Sequence, residues 1–317
     1  MSVKVSVIVP VYNAEKTLEK CMNSLLSQTL EDIEIVAVND MSTDGSREML
    51  ESYKHRYPEK VKVIDVTTKQ YAGGARNCGM EAAEGTYVGF VDADDFVDPA
   101  MYQELYEKAK EGYDIVDSAI YEVKSGKATI AVADELCGEC TWEKKRQLMV
   151  VGGYIVTKIY RRDFLTENGI KFRHGVKLED ADFLMKVYIN AKKIANVRKV
   201  FYVYNNENSL DTWSVRSLNK SEYDNLTALM TEIKKIHDIK EYSEVHEVLE
   251  ASALRMYVLA IQCCTAGGKL EKNDLDMLRK VKKIKAGIVK NGYDNKYIKG
   301  VLTAEDIELM RYIDKNF

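Results

Sequence analysis

Residues 3–13, VKVSVIVPVYN, decide the fold of this chain. The segment 3–9 is rich in β-branched residues and ends at Pro10, a pattern typical of a strand buried in a sheet. Asn13 is placed to cap the helix that follows. That helix is predicted from an apolar stripe at helical spacing, formed by Leu18, Cys21, Met22, Leu25 and Leu26. A strand that leads directly into a helix is the repeating unit of an α/β protein.

The same unit recurs along the first third of the chain. Strands are predicted at 33–38, 61–66 and 86–91, and helices after Ser42-Thr43-Asp44, over 73–83 and from Pro99. Strands that alternate with helices in this way predict a mostly parallel sheet with helices on both faces.

The remainder of the chain changes character twice. Further strands are predicted at 114–120, in a hairpin around Ser125-Gly126, and at 154–160 and 197–204, with a helix over 181–191. From about residue 220 the pattern is helical. We therefore expect an α/β domain over 1–215, with halves 1–98 and 99–215, followed by a helical C-terminal appendage over 216–317.

Composition excludes several classes of protein. The 317 residues include 46 Lys and Arg against 50 Asp and Glu, a net charge of −4 that argues against a dedicated nucleic-acid binder. No apolar run approaches the ~20 residues of a membrane span. The chain opens on strand-like sequence, and its six cysteines are expected to be reduced thiols of a cytoplasmic protein.

Polar residues collect where the predicted strands end. Pro10, Tyr12 and Asn13 close the first strand, Asp40 follows the second, and Asp92-Ala93-Asp94-Asp95 follows the fourth. Ligands of open parallel sheets bind outside these carboxyl ends. Three acids within four residues repel one another unless a cation or hydrogen-bond donors neutralise them, which favours a hard metal ion. The alternative is that Asp94 or Asp95 only caps the following helix.

Five motifs, in this order, resemble those of the family 2 glycosyltransferases, which are nucleotide-sugar-dependent enzymes of GT-A fold. They are the opening strand 5–13, the segment 25–29, the loop 39–46, the Ala-Arg-Asn element in 74–79 and the Asp-x-Asp motif in 90–95. The loop departs from the family's Asp-Asp-Gly-Ser pattern, because Asn39 replaces its first Asp and Met41 its Gly.

The resemblance implies a role for each matched residue. Tyr12 would stack on the nucleotide base and Asp40 would accept from it, beside Pro10 and Asn13. Arg76 would face the nucleotide, and Asp92 would contact the ribose or the sugar. Asp94, with Asp95 beside it, would ligate Mn²⁺ or Mg²⁺, and UDP is the expected nucleotide. Two plainer roles stay open: core packing for Tyr12 and a structural ion pair for Arg76.

Sugar transfer also needs a base for the acceptor hydroxyl. Glu179-Asp180 resembles the Glu-Asp element that follows a Gly-Ile-x-Phe segment in the family, here 169–172. Asp180 is the first choice as catalytic base and Glu179 the second. The alternative is that both carboxylates merely stabilise a helix N-terminus. The resemblance further implies an inverting displacement.

Other features refine the expected function. The chain lacks the Gln-x-x-Arg-Trp element of processive synthases, which indicates addition of one or few sugars to a carbohydrate or lipid-linked saccharide in bacterial surface polysaccharide or glycoconjugate assembly. Two alternatives remain, a nucleotidyltransferase and a non-catalytic nucleotide-sugar-binding protein. A basic helix near 279–290 could contact a membrane peripherally, although a solvated helix packed on its neighbours is favoured. His174 could line an acceptor cleft, and the oligomeric state is open.

Overall fold

A computed structural model describes residues 2–206, 222–265, 271–290, 292–299 and 301–317. The chain divides into two compact units, residues 1–208 and 209–317. The predicted domain boundary at 215/216 lies within 207–221, outside the described residues.

The described part of the first unit contains a ten-stranded sheet. Its strands are β1 (Val5–Val11), β2 (Ile33–Asn39), β3 (Val61–Asp65), β4 (Tyr87–Phe90), β5 (Phe96–Val97), β6 (Ile115–Glu122), β7 (Lys127–Thr129), β8 (Gly138–Glu139), β9 (Lys158–Arg161) and β10 (Lys193–Tyr204). The main order is β3-β2-β1-β4-β9-β6-β10-β5, with β7 paired to β6 and β8 to β10.

The first four strands are mutually parallel, as the sequence predicts. Val5 pairs with Ile33 on one side and Tyr87 on the other, which places β1 at the centre of this group. Its valines are fully buried. β6 and β10 are also parallel to each other, whereas β9 between β4 and β6 is antiparallel to both neighbours.

Seven helices accompany the sheet in the described part of this unit: α1 (Leu18–Leu26), α2 (Ser46–Arg56), α3 (Tyr71–Ala82), α4 (Met101–Ala109), α5 (Trp142–Val151), α6 (Arg162–Glu167) and α7 (Glu179–Asn190). The amphipathic stripe predicted for α1 is confirmed, since Leu18, Cys21 and Leu25 are buried.

Two local predictions were wrong. Asn13 does not cap α1: Thr17 holds the N-cap position, and the Asn13 side chain instead accepts a hydrogen bond from the Thr43 amide at 2.8 Å. The strand predicted over 154–160 covers only 158–161. Residues 154–157 bend instead, because the carbonyl of Tyr154 accepts from the side chains of Thr157 and Lys158.

The second unit is helical in its described parts, with α8 (Tyr223–His237), α9 (His246–Thr265), α10 (Lys272–Ala286) and α11 (Ala304–Asn316). The apolar side chains of α10 face α8 and α9 and are buried, including Leu278 and Val281. Lys285 is also buried and pairs with Asp314. Because the apolar stripe of α10 is already covered within the unit, membrane contact by this helix stays a prediction.

One helical segment, Lys240–Thr265, is long and apolar enough to cross a bilayer by length and composition, with a mean hydropathy of 1.2. The expectation that no segment could do so is therefore not met on those criteria. In the most apolar 18-residue window of this segment, 72% is buried inside the protein, as is usual for the core helix of a helical bundle.

Candidate active site

A cleft of about 1140 Å³ opens at the carboxyl ends of β1, β2 and β4. Parallel strands bring the residues that follow them to one edge, so Tyr12, Asp40 and Asp92 meet there although they are far apart in sequence. The predicted nucleotide and metal residues that line this cleft are Pro10, Tyr12, Asn13, Asp40, Arg76, Asp92 and Asp94. Asp95, Glu179 and Asp180 are not part of its lining.

Tyr12, Asp40 and Lys69 form one end of the cleft. Tyr12 is 53% exposed, which excludes core packing as its role. The buried Asp40 carboxylate accepts from the Gln70 amide at 2.6 Å and pairs with the Lys69 ammonium at 3.1 Å. That ammonium also lies over the Tyr12 ring, 2.7 Å from its centroid. An exposed ring beside a buried carboxylate is a suitable site for a flat, hydrogen-bonding ligand.

Arg76 connects the two groups of predicted site residues. It is 5% exposed and donates to Asp92 Oδ1 and to Glu179 Oε1, each at 2.7 Å. These two carboxylates raise the pKa of the guanidinium even though its burial acts in the opposite direction. The ion pair anticipated as the plainer role of Arg76 is therefore present, and it fixes the position of Asp92 relative to the start of α7.

The Asp-x-Asp segment presents two carboxylates to the cleft. Asp94 is exposed there, and desolvation in the cleft together with the Asp92 charge raises its pKa. Within the described parts of the chain, no group of three His, Cys, Asp or Glu side chains could hold a metal ion. Mg²⁺-type ions are commonly held by one or two carboxylates with substrate phosphates completing the shell, and Asp92 with Asp94 fits that donor set.

Asp95 has a different environment from its neighbour. It is 2% exposed, and its two carboxylate oxygens accept from the Tyr202 hydroxyl at 2.6 Å and the Asn205 amide at 2.8 Å. Burial and the Asp92 charge raise its pKa to about 8. Both oxygens are thus committed to β10 and the residue after it, so the structure makes Asp95 an anchor of this segment. Neither Asp94 nor Asp95 caps α4, because β5 intervenes.

Glu179 and Asp180 open α7 beneath the Arg76 bridge. Leu178, just before them, has a left-handed backbone with φ 62°. Glu179 pairs with Arg76, so its carboxylate is engaged with a cation rather than serving only the helix end. Burial raises the pKa of Asp180, while the charge of Arg76 and the Ala181 amide act to lower it. A half-buried carboxyl with a raised pKa is a suitable proton acceptor near neutral pH.

Backbone strain is concentrated around this cleft. Among the described residues, the non-glycine residues with positive φ are Asn13, Met41, Tyr71 and Leu178. Asn13 and Tyr71 line the cleft, while Met41 follows Asp40 and Leu178 precedes Glu179. Strained backbone of this kind gathers at functional sites. Met41, at φ 59°, adopts the left-handed conformation that glycine, the residue of the family pattern at this position, would adopt freely.

Two of the matched motifs are locked together by their side chains. The Asn77 amide donates to the Phe172 carbonyl and accepts from the Phe172 amide, both at 3.0 Å. The Phe172 ring stacks on Phe183 of α7, with centroids 3.9 Å apart. The Ala-Arg-Asn element thereby holds the Gly-Ile-x-Phe segment, which in turn positions the start of α7.

The close approach of α3 to this segment requires a glycine at position 73. A Cβ there would lie 2.4 Å from the Arg173 carbonyl oxygen and 2.9 Å from Glu179 Cγ. We therefore expect Gly73→Ala to displace the start of α7, lowering stability by about 1–3 kcal/mol and reducing activity. Thermal unfolding and turnover assays measure the two effects.

Gly74→Ala is the matched control for that substitution. Both glycines lie in α3, but a Cβ at Gly74 would meet the side chains of His174 and Gln70, and the imidazole of His174 is exposed and can move. Equal loss of activity in the two variants would contradict the account of Gly73.

Comparison with known proteins assigns the family. The sequence profile described as "Glycosyl transferase family 2" matches residues 6–169, more than half of the chain. The chain belongs to this family. A relative in Escherichia coli, described as uncharacterized glycosyltransferase YibD, is 32% identical and is matched over 80% of this chain and 78% of its own length.

Two further relatives are longer than the region they share with this chain. Uncharacterized glycosyltransferase EpsJ of Bacillus subtilis is 35% identical over 65% of this chain and 62% of its own length. Poly(ribitol-phosphate) beta-glucosyltransferase of Bacillus spizizenii is 33% identical over 63% of this chain and 32% of its own length. The chain therefore spans less than two thirds of either relative.

Solved structures confirm the predicted GT-A fold. Residues 1–349 of Staphylococcus aureus TarS in complex with UDP-GlcNAc superimpose with a TM-score of 0.70 at 26% identity, covering 98% of this chain and 90% of that one. The mannosyltransferase PcManGT of Pyrobaculum calidifontis, in complex with GDP-Man and Mn²⁺, shares the fold with a TM-score of 0.56 at 15% identity.

Sequence reasoning missed three residues that shape the site. Lys69 covers Tyr12, while Tyr202 and Asn205 anchor Asp95. None carries a local signal, because each acts on partners distant in sequence. His174, expected to be a surface residue or an acceptor contact, is exposed, and its Nε2 lies 2.7 Å from Gln70 Oε1 beside the cleft.

Proposed function

We propose that this chain transfers a sugar from a UDP-sugar to an acceptor hydroxyl, with Asp180 as the catalytic base. The observation that carries the proposal is the Arg76 bridge, since Asp92 at the cleft and Glu179 at the start of α7 are held by one buried guanidinium. A nucleotide site without such a link would bind its ligand but would not fix it relative to a base.

The nucleotide occupies the cleft in this proposal. Tyr12 stacks on the base, and the Asp40 carboxylate accepts a hydrogen bond from the N–H of the base. Pro10 and Asn13 form part of the cleft wall beside it. Asp92 accepts from a hydroxyl of the ribose or the sugar. Arg76 holds the Asp92 carboxylate for this contact and lies at the nucleotide side of the cleft.

A divalent cation, Mn²⁺ or Mg²⁺, completes the proposed site. Asp94 would hold it, with Asp92 beside it and Asp95 acting as the anchor of the segment. When bound, such an ion neutralises the charge that develops on the departing diphosphate. The exposed Asp94 carboxylate and its raised pKa support a position where a cation would be favourable.

The chemical step is a single displacement. Asp180 takes the proton of the acceptor hydroxyl as its oxygen forms a bond to the anomeric carbon. The bond from that carbon to the diphosphate oxygen breaks, and its electron pair leaves with UDP. Attack on the side opposite to the leaving group inverts the anomeric configuration. Glu179, neutralised by Arg76, holds the helix start in place.

The acceptor class follows from the relatives. Two relatives are described as a poly(ribitol-phosphate) beta-glucosyltransferase and a poly(ribitol-phosphate) beta-N-acetylglucosaminyltransferase, so we propose a hexosyl-type donor and a saccharide or polymer acceptor. Transfer is non-processive in this proposal. The reaction takes place in the cytoplasm, a reducing compartment that suits a protein whose six cysteines are all free thiols.

Release of UDP from a panel of UDP-hexoses, with and without acceptor saccharides, tests the proposed function. We expect turnover in the presence of Mn²⁺, loss of turnover with EDTA, and recovery on adding Mn²⁺ back. Asp94→Ala should lower kcat/KM at least ~100-fold, because the diphosphate charge is no longer compensated. Equal turnover of that variant and the wild type, or turnover unaffected by EDTA, would contradict the metal role of Asp94.

A further inference from the structure

Lys69 occupies the place that the proposed function gives to the nucleotide base. Its ammonium pairs with Asp40 Oδ2 at 3.1 Å, donates to the Asp40 carbonyl at 2.9 Å and lies over the Tyr12 ring. The Lys69 side chain is only 30% exposed, so these contacts hold it inside the cleft.

A base cannot stack on Tyr12 while the ammonium covers the same face. The Lys69 stem is a flexible four-carbon chain, so the ammonium can swing aside without moving the backbone. The neighbouring Gln70 amide continues to hold Asp40 Oδ1, which leaves Oδ2 as the acceptor for the base. Lys69 would then stand beside the base edge, still within reach of Asp40.

A displaced ammonium at that position needs a new acceptor. Uracil has one ring N–H that can donate a hydrogen bond to a carboxylate, and this N–H lies between two carbonyl groups. A cation that leaves one oxygen of Asp40 and donates to an adjacent carbonyl exchanges one charge-assisted contact for another. The pair formed by Asp40 and Lys69 is therefore complementary to an N–H next to a C=O.

We propose that Lys69 is a base-reading residue, which covers Tyr12 in the free protein and donates to a uracil carbonyl oxygen when UDP binds. This inference rests on the proposed function. In the free protein the same side chain shields the stacking surface, and in the complex it contributes to nucleotide preference.

Calorimetric titrations with UDP, 2-thio-UDP and 4-thio-UDP test the inference, because sulfur is a much weaker hydrogen-bond acceptor than oxygen. We expect the wild type to bind one of the two thio analogues about 10-fold more weakly than UDP. Lys69→Met should bind UDP about 10-fold more weakly than the wild type and should no longer distinguish that analogue from UDP. Lys69→Arg, which keeps a donor, should retain the distinction.

Lys171→Met is the control, since Lys171 is an exposed cation outside the lining of the cleft, and this variant should bind UDP and both analogues as the wild type does. Tighter UDP binding by Lys69→Met would show that Lys69 only obstructs the site and would overturn the inference. An analogue effect that persists in Lys69→Met would show that Lys69 acts only through Asp40, which would also overturn it. Failure of the wild type to bind UDP would instead contradict the proposed function, and thermal unfolding confirms that each variant is folded.

Discussion

Asp180→Asn is expected to lower kcat by a factor of about 10²–10⁴ while leaving UDP affinity within a few-fold of the wild type. The amide has the shape of the carboxylate but cannot take the acceptor proton. Asp180 lies outside the lining of the nucleotide cleft, so we expect its replacement to leave donor binding nearly unchanged. Steady-state UDP release and UDP titration measure the two quantities separately.

The pH profile provides a second test of Asp180. A base must be ionised, so activity should rise with pH through the pKa of this carboxyl. Burial raises that pKa, so the acidic limb of kcat should lie above the ordinary Asp value of about 3.9. Asp163→Asn is the matched control, because Asp163 is an exposed acid on α6. This variant should change neither kcat nor the affinity for UDP. Full turnover in Asp180→Asn would remove this residue as base, whereas UDP binding without any turnover by the wild type would favour a protein that only binds nucleotide-sugars.

Lys158→Met is expected to destabilise the first unit by about 3–5 kcal/mol. The ammonium of Lys158 pairs with Asp117 Oδ1 at 2.9 Å, and both side chains are 0% exposed. Removing the cation leaves a buried carboxylate whose remaining donors, among the described residues, are the Thr157 hydroxyl and the Val132 amide. Chemical denaturation monitored by fluorescence measures the loss of unfolding free energy.

An exposed pair of the same length is the control. Lys171 and Glu81 are also 2.9 Å apart, but their side chains are 62% and 66% exposed. Lys171→Met should cost less than about 1 kcal/mol, because solvent screens that pair. Replacing Asp117 by Leu in addition to Lys158→Met should recover part of the loss, since no unpaired charge then remains buried. Equal costs for the two single variants would contradict the burial argument.

The sequence predicts the nucleotide half of the fold well, because its structure is set by local patterns. β-branched runs specify β1 to β3, and polar residues directly after the strands converge by topology alone. The region between β6 and α7 is predicted poorly. β9 is short and antiparallel, α5 and α6 were not predicted, and the turn before Lys158 depends on contacts with Asp117 from another strand.

The site shows the same division between local and non-local information. Motif residues such as Tyr12 and Asp40 are recognised one by one. The bridge made by Arg76, however, depends on Glu179, which lies 103 residues further along the chain. The separate environments of Asp94 and Asp95 follow from β10 and cannot be read from two adjacent aspartates. The left-handed Leu178 has no sequence signal, since leucine does not favour that conformation.

Calorimetric titration of UDP into the purified protein, with and without Mn²⁺, tests the central claim most directly. We predict saturable binding at one site that strengthens with Mn²⁺ and weakens on Asp40→Ala, which removes the carboxylate proposed to accept the base N–H. Absence of UDP binding under both conditions, by protein shown to be folded, would contradict the assignment of the cleft to a UDP-sugar donor.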